Sequence, residues 1–194
     1  MKICVFGASS ASLDQEYYRA AEEFGRLLAA GGHSLIFGGG AQGIMGAVAR
    51  GAKAAGGEII GIAPKFFDEP GVLYSQCTQL IFTETMRERK SLMDEMCDAV
   101  AVFPGGIGTY EEFFEILTLK QLGRTNKAIV LLNTLGYYSP MEAMLRHTAA
   151  ERFMSESCMD IFNIAQTPGE ALSYIESYVP QRSGSIFRLE DYNK

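Results

Sequence analysis

Apolar residues come in short blocks, separated by longer stretches in which they recur every three or four positions. Residues 3–6, 34–37, 58–62, 79–82, 99–103, 128–132 and 161–164 are compact apolar runs. Runs of that length bounded by Gly or polar residues predict buried strands. Between them, the 3.6-residue period predicts helices up to residue 30, up to about residue 55, and over 86–97, 109–122, 140–150 and 168–177. Five possible helix starts carry the Ser/Thr-x-x-Glu/Gln signature of a capping box: Ser12-Leu-Asp-Gln15, Thr85-Met-Arg-Glu88, Thr109-Tyr-Glu-Glu112, Ser139-Pro-Met-Glu142 and Thr167-Pro-Gly-Glu170. Residues 64–78, with two prolines and a glycine, read as an irregular loop.

Strands alternating with helices predict an α/β, Rossmann-like three-layer sandwich. Its mostly parallel sheet of about six or seven strands is covered by helices on both faces. The expected organisation is one domain over residues 1–180, followed by a loosely held polar tail at 181–194. In such sheets ligands bind at the carboxyl ends of the strands. That places three loops on one rim: residues 7–10, 38–43 and 104–109, each rich in Gly or Ser and each preceding a helix. Backbone N–H groups at helix starts make such a rim an anion site.

Composition narrows the partners. A net charge of −6 argues against a general nucleic-acid or anionic-membrane binder. Cys4, Cys77, Cys97 and Cys158 form no CxxC pair, and neither His33 nor His147 is near them in sequence, which argues against a zinc site; no cofactor is expected. The N-terminal apolar run is too short for a secretory signal and no membrane-spanning run is present, which makes a cytoplasmic protein the expectation.

The glycine loops have rival readings. Residues 38–43, GGGAQG, are a literal GxGxxG after a strand, and Glu58 follows about 20 residues on, as in dinucleotide-binding proteins. In that fingerprint, however, the glycines close the first strand–helix turn, whereas here they follow the second strand. Small residues at Ala47, Ala49, Gly51 and Ala52 also fit simple close packing of a helix. A Walker loop and a GxSxG elbow are both missing.

In FPGGIGTYEE, residues 103–112, Thr109 and Glu112 could simply cap a helix. Yet Glu112 falls in line with Ile116 and Leu119, an apolar stripe, while Glu111 falls in line with Glu115 and Thr118. An inward carboxylate is costly without a task. Upstream, MRERK (86–90) crowds three cations into the start of a helix, where the dipole disfavours them. Pairing of Arg89 or Lys90 with Asp94 would relieve this, and so would a bound anion.

PGGIGTYEE and MRERK resemble the PGGxGTxxE and MxxRK motifs of the Lonely guy (LOG) family. The likeness runs from CVFGASS through GGGAQGIMG to LLNTLGYYSP. The family comprises cytokinin riboside 5′-monophosphate phosphoribohydrolases, long labelled lysine decarboxylases. The resemblance implies a Rossmann-like homodimer that releases the free base from nucleoside 5′-monophosphates. It assigns catalysis to Arg89 and Glu112 and phosphate binding to Gly105, Gly106, Gly108 and Thr109. It puts Lys90 beside the substrate and Thr118 near a binding position. Met86, Ile107 and Glu111 from the same motifs, and Ser9, Gly39 and Gly40 from the earlier loops, complete the candidate binding set. Arg87 and Leu119 stand where His and Trp are common in the family, and Thr85 where Asp is. These departures bear on base preference more than on reaction type. On this reading Arg89 keeps Glu112 ionised. A non-catalytic nucleotide or molybdenum-cofactor carrier of the same fold is the other class to consider, with an NAD-dependent oxidoreductase more distant.

Overall fold

The computed structural model describes residues 1–180, so the tail expected at 181–194 lies outside the described residues. Seven strands form one sheet: β1 (Lys2–Phe6), β2 (Ser34–Phe37), β3 (Ile59–Pro64), β4 (Gln79–Thr83), β5 (Ala99–Val102), β6 (Ala128–Leu132) and β7 (Asn163–Ala165). Their order is β4-β3-β2-β1-β5-β6-β7, and every neighbouring pair is parallel. Among the described residues five α-helices connect strands, α1 (Gln15–Ala30), α2 (Gly43–Ala54), α3 (Met86–Met96), α4 (Ile107–Gln121) and α5 (Ser139–Ala150), and a sixth, α6 (Pro168–Ser177), follows β7; β3 and β4 are joined by a strap without an α-helix.

The period-2 alternation of a strand divides the core in two. On β1, Ile3 and Val5 enter a cluster with Phe24 and Leu28 of α1, Val48 of α2 and Ile175 of α6. Cys4 and Phe6 enter the opposite cluster, with Met93 of α3, Phe113 and Leu117 of α4 and Leu145 of α5. Both faces of the sheet are thus covered, which is why its strands are almost uniformly apolar. The chain leaves β1 toward one face and β5 toward the other, so a crevice opens between their carboxyl ends.

The helix starts separate patterns that look alike in sequence. Thr85 and Thr167 are true N-caps, accepting from the N–H groups of Glu88 (3.1 Å) and Glu170 (3.2 Å). Each glutamate reaches back one residue further than in the standard box, to the N–H of Glu84 or Gln166. The other three expectations are corrected. Asp14, not Ser12, caps α1, accepting from Glu16 N–H at 2.9 Å. Ser139 sits inside the first turn of α5 and accepts a hydrogen bond from Asn133 instead. Helix α4 starts at Ile107 behind an N-cap, Gly106, that has no capping side chain. Thr109 is therefore already helical, and no box forms there. Asp94 pairs with Lys127 (2.5 Å) rather than with Arg89 or Lys90. The last strand begins two residues later than expected, because Ile161 and Phe162 are buried without joining the ladder. Among the described residues no helix is long and apolar enough to cross a membrane.

Candidate active site

The three rim loops are tied together through Ala8. Its N–H donates to Pro104 C=O (3.1 Å) and its C=O accepts from Ile44 N–H (2.8 Å). They enclose a cleft of about 600 Å³. Its lining combines polar groups, Ser9, Arg89, Thr109 and Glu112 with the glycines Gly40, Gly106 and Gly108, and apolar side chains, Met45, Phe67, Val72, Leu73 and Met86. Val72 and Leu73 arrive because the strap after β3 is pinned to the second glycine loop. Ala41 N–H donates to Val72 C=O (2.9 Å), and Tyr74 N–H to Gly39 C=O (2.8 Å).

At α4 the first intrahelical bond is Tyr110 N–H to Gly106 C=O (3.0 Å). The N–H groups of Ile107, Gly108 and Thr109 therefore have no partner within the helix, and no side chain caps them. The Thr109 side chain is buried at the cleft wall, and its hydroxyl has no protein partner among the described residues. Uncapped donors at the positive end of a helix dipole suit an anion.

The same cleft is lined by a largely buried ion pair. Arg89 Nη1 donates to Glu112 Oε1 at 2.9 Å, with the two side chains only 8% and 11% exposed. Arg89 Nε donates to Ile62 C=O (3.2 Å), which fixes the guanidinium plane. Gly38 makes the room: a Cβ there would lie 2.2 Å from Arg89 Nη2. The close approach allowed by this GxGxxG glycine is thus used by a side chain of the protein. Glu58, the acid of the dinucleotide reading, precedes β3 at the opposite rim and accepts from Ser34 Oγ at 2.6 Å. Burial raises the Glu112 carboxyl above its ordinary value, and the charge and hydrogen bond of Arg89 oppose that only in part. Arg89 thus favours the ionised form of Glu112, while burial, the larger influence, works against it.

Glu112 also lines a second cavity of about 220 Å³, between α3 and α4 and floored by Cys4, Phe6 and Val100. Lys90 opens onto this cavity, not the cleft, and pairs with Glu111 and with Glu115 (2.9 Å). Burial alone would lower the Lys90 pKa, but the two carboxylates together raise it. Arg87 and Leu119 line the same cavity. Among the remaining candidates, Gly105 is packed under Thr109, whose Oγ1 would lie 2.1 Å from a Cβ added there. Ile107 is 87% exposed. Thr118 turns back to Phe114 C=O (2.7 Å) and lines neither cavity. Gly39 contributes its carbonyl to Tyr74, not its surface to the cleft. Of the apolar lining, sequence reasoning named only Met86. Phe67, Val72 and Leu73 lie in the loop read as irregular, and only its apolar residues among Pro and Gly hinted that it lines a site. Among the described residues no three His, Cys, Asp or Glu side chains are grouped to hold a metal ion.

The family model described as "Possible lysine decarboxylase" matches residues 45–175. The cytokinin riboside 5′-monophosphate phosphoribohydrolase LOG2 of Arabidopsis thaliana is 31% identical over 97% of this chain and 88% of its own length. The chain belongs to the LOG family. A second LOG-family relative, the cytokinin riboside 5′-monophosphate phosphoribohydrolase of Rhodococcoides fascians, is 38% identical over 79% of this chain and 78% of its own. Among solved structures, the molybdenum cofactor carrier protein of Chlamydomonas reinhardtii superposes with a TM-score of 0.69. It covers 90% of this chain and 95% of the carrier at 24% identity, a likeness of fold alone.

Proposed function

We propose that this chain hydrolyses the N-glycosidic bond of nucleoside 5′-monophosphates, a cytokinin riboside 5′-monophosphate or AMP, to free base and ribose 5-phosphate. The observation that carries the reading is the juxtaposition in one cleft of an uncapped helix start and a buried Arg89–Glu112 pair at 2.9 Å. The phosphate would accept from the N–H groups at the start of α4 and from the Thr109 hydroxyl, with Ser9 at the same wall. That remote binding positions the sugar.

Cleavage sends the C1′–N bonding pair to the base and leaves positive charge on the ribose. Glu112, as carboxylate, stabilises that charge and takes a proton from the attacking water as the new C1′–O bond forms. The proton that Glu112 takes from the water is passed on to the departing base, so one water supplies both the hydroxyl at C1′ and the hydrogen on the base, and Glu112 is restored as carboxylate. A carboxylate whose pKa is raised by burial is a stronger base than an exposed one, as this role requires. Arg89 holds Glu112 in place and supplies a fixed cation beside it. The apolar residues Met45, Phe67, Val72, Leu73 and Met86 suit a purine ring and are the positions to vary for base preference, whereas Arg87 and Leu119 line the smaller cavity.

The unit is a single domain over residues 1–180, cytoplasmic, acting as a homodimer. Exposed apolar side chains on and around α4 and α5, such as Leu122, Met144 and Phe153, support the dimer, and sedimentation at two concentrations tests it. For the activity, purified protein is incubated with AMP and with a cytokinin riboside 5′-monophosphate. Free base and ribose 5-phosphate should accumulate together. A protein that binds either nucleotide without releasing base would instead be a carrier.

A further inference from the structure

The segment NTLGYYSP, residues 133–140, lies far from the motifs yet reaches the candidate phosphate loop. Asn133 Oδ1 accepts from Tyr138 N–H (2.7 Å), and Leu135 (φ 55°) and Gly136 (φ 72°) turn the chain so that two consecutive tyrosines project toward β5. Tyr138 donates to Phe103 C=O and Tyr137 to Gly105 C=O, each at 2.6 Å. With Ala8 N–H on Pro104 C=O and Tyr110 N–H on Gly106 C=O, every carbonyl from 103 to 106 is held by a donor.

The Gly105 bond matters most. In a trans peptide C=O and N–H point in opposite directions, so holding the Gly105 carbonyl also fixes the direction of the Gly106 N–H. Gly106 lines the cleft. This is also a glycine–glycine peptide, with no Cβ on either side to resist rotation about its flanking torsions. Rotated by half a turn, it would present a carbonyl oxygen to the anion instead of a donor.

We propose that Tyr137 is a positioning residue for phosphate recognition: by tethering the Gly105 carbonyl it keeps the Gly106 N–H turned into the cleft. The proposal rests on the nucleotide-hydrolase reading for its ligand. Tyr137 is itself well fixed. Its hydroxyl accepts from Tyr110 Oη at 3.1 Å, and its ring meets Tyr17 and Tyr138 edge-on at 6.1 and 5.1 Å. Burial pushes its pKa up to about 12, so it remains a donor across the working range.

The test is Tyr137→Phe, which keeps the ring packing and removes the tether. We expect KM for AMP and the inhibition constant of ribose 5-phosphate each to rise about tenfold, the scale of one lost hydrogen bond, with kcat within about twofold. The preference for AMP over adenosine, which has no phosphate to recognise, should fall by the same factor. Equal losses on AMP and adenosine would make Tyr137 merely structural, and an unchanged AMP affinity would overturn the proposal outright. If Tyr137→Phe does not fold, Tyr110→Phe, which removes only the bond onto the Tyr137 hydroxyl, should move the same ratio in the same direction by less. No such movement would equally overturn the proposal. Should the wild-type protein bind AMP but release no base, the hydrolase reading fails, while AMP affinity measured by calorimetry on the two proteins still decides the role of Tyr137.

Discussion

Helices α3 and α4 begin with the same four-residue pattern and use it in opposite ways. At Thr85-Met-Arg-Glu88 the threonine is outside the helix, caps it, and the glutamate folds back to a backbone N–H. At Thr109-Tyr-Glu-Glu112 the helix has already started at Ile107, so the threonine hydroxyl and the leading N–H groups are left for something else, and the glutamate is buried against Arg89. The two differ in what precedes the threonine. Glu84 is an ordinary residue whose N–H needs a partner, whereas Gly105-Gly106 lets the chain turn into the helix three residues early. A stability device and a binding device therefore share one signature, and substitution at matching positions separates them.

The widest separation is expected at the glutamates. Glu112→Gln should reduce base release from AMP by about 10²–10⁴-fold, the span of a lost general base, with the protein still folded. Glu88→Gln should leave kcat/KM within about twofold, since Gln serves a cap as well as Glu. Near-wild-type turnover by Glu112→Gln would remove it from the mechanism. The pH profile sharpens the same contrast. Burial raises the Glu112 pKa, so activity should rise with pH through a value above 4.5, the ordinary one, rather than at it. Stability should do the reverse. The folded state holds this proton more tightly than the unfolded one, so stability is lost as pH rises from the ordinary value through the raised one. Glu112→Gln should lack that slope, which chemical denaturation at several pH values will reveal.

The threonines come next. Thr109→Val keeps shape and removes one donor to a charged phosphate, worth about 1.5–3 kcal/mol, so KM for AMP should rise about 10- to 100-fold while the melting temperature holds. A KM unchanged from wild type would mean that the phosphate lies elsewhere on the rim.

How much of this could be read beforehand depends on the range of the interaction. The strands and the inward stripe of Glu112, Ile116 and Leu119 are local periodicities and were legible. So were the caps at Thr85 and Thr167. The start of α4 was not, because the Thr-x-x-Glu signature at 109–112 suggests a cap at Thr109, while the glycines before it let the helix begin at Ile107. Arg89 could be named from a motif, but that it lies against Gly38 and points at Glu112 is a matter of how β2, α3 and α4 meet. The tether from Tyr137 spans 32 residues, and two adjacent tyrosines give no sign of which carbonyls they will find.

The smallest effect is the one that would most directly support the division of labour. Thr85→Ala removes a side-chain acceptor from a helix start and should cost about 1 kcal/mol, the usual value of an N-cap. In a chain of this size that lowers the melting temperature by roughly 2–4 °C. Arg89 sits four residues into the same helix, but it is held by Ile62 C=O and Glu112 rather than by the cap. Its position should therefore survive fraying of the first turn, and KM and kcat for AMP should stay within about twofold of wild type. A loss of activity larger than the loss of stability would show that the start of α3 also helps to aim Arg89. The two threonines would then differ in degree, with capping and chemistry coupled through one helix.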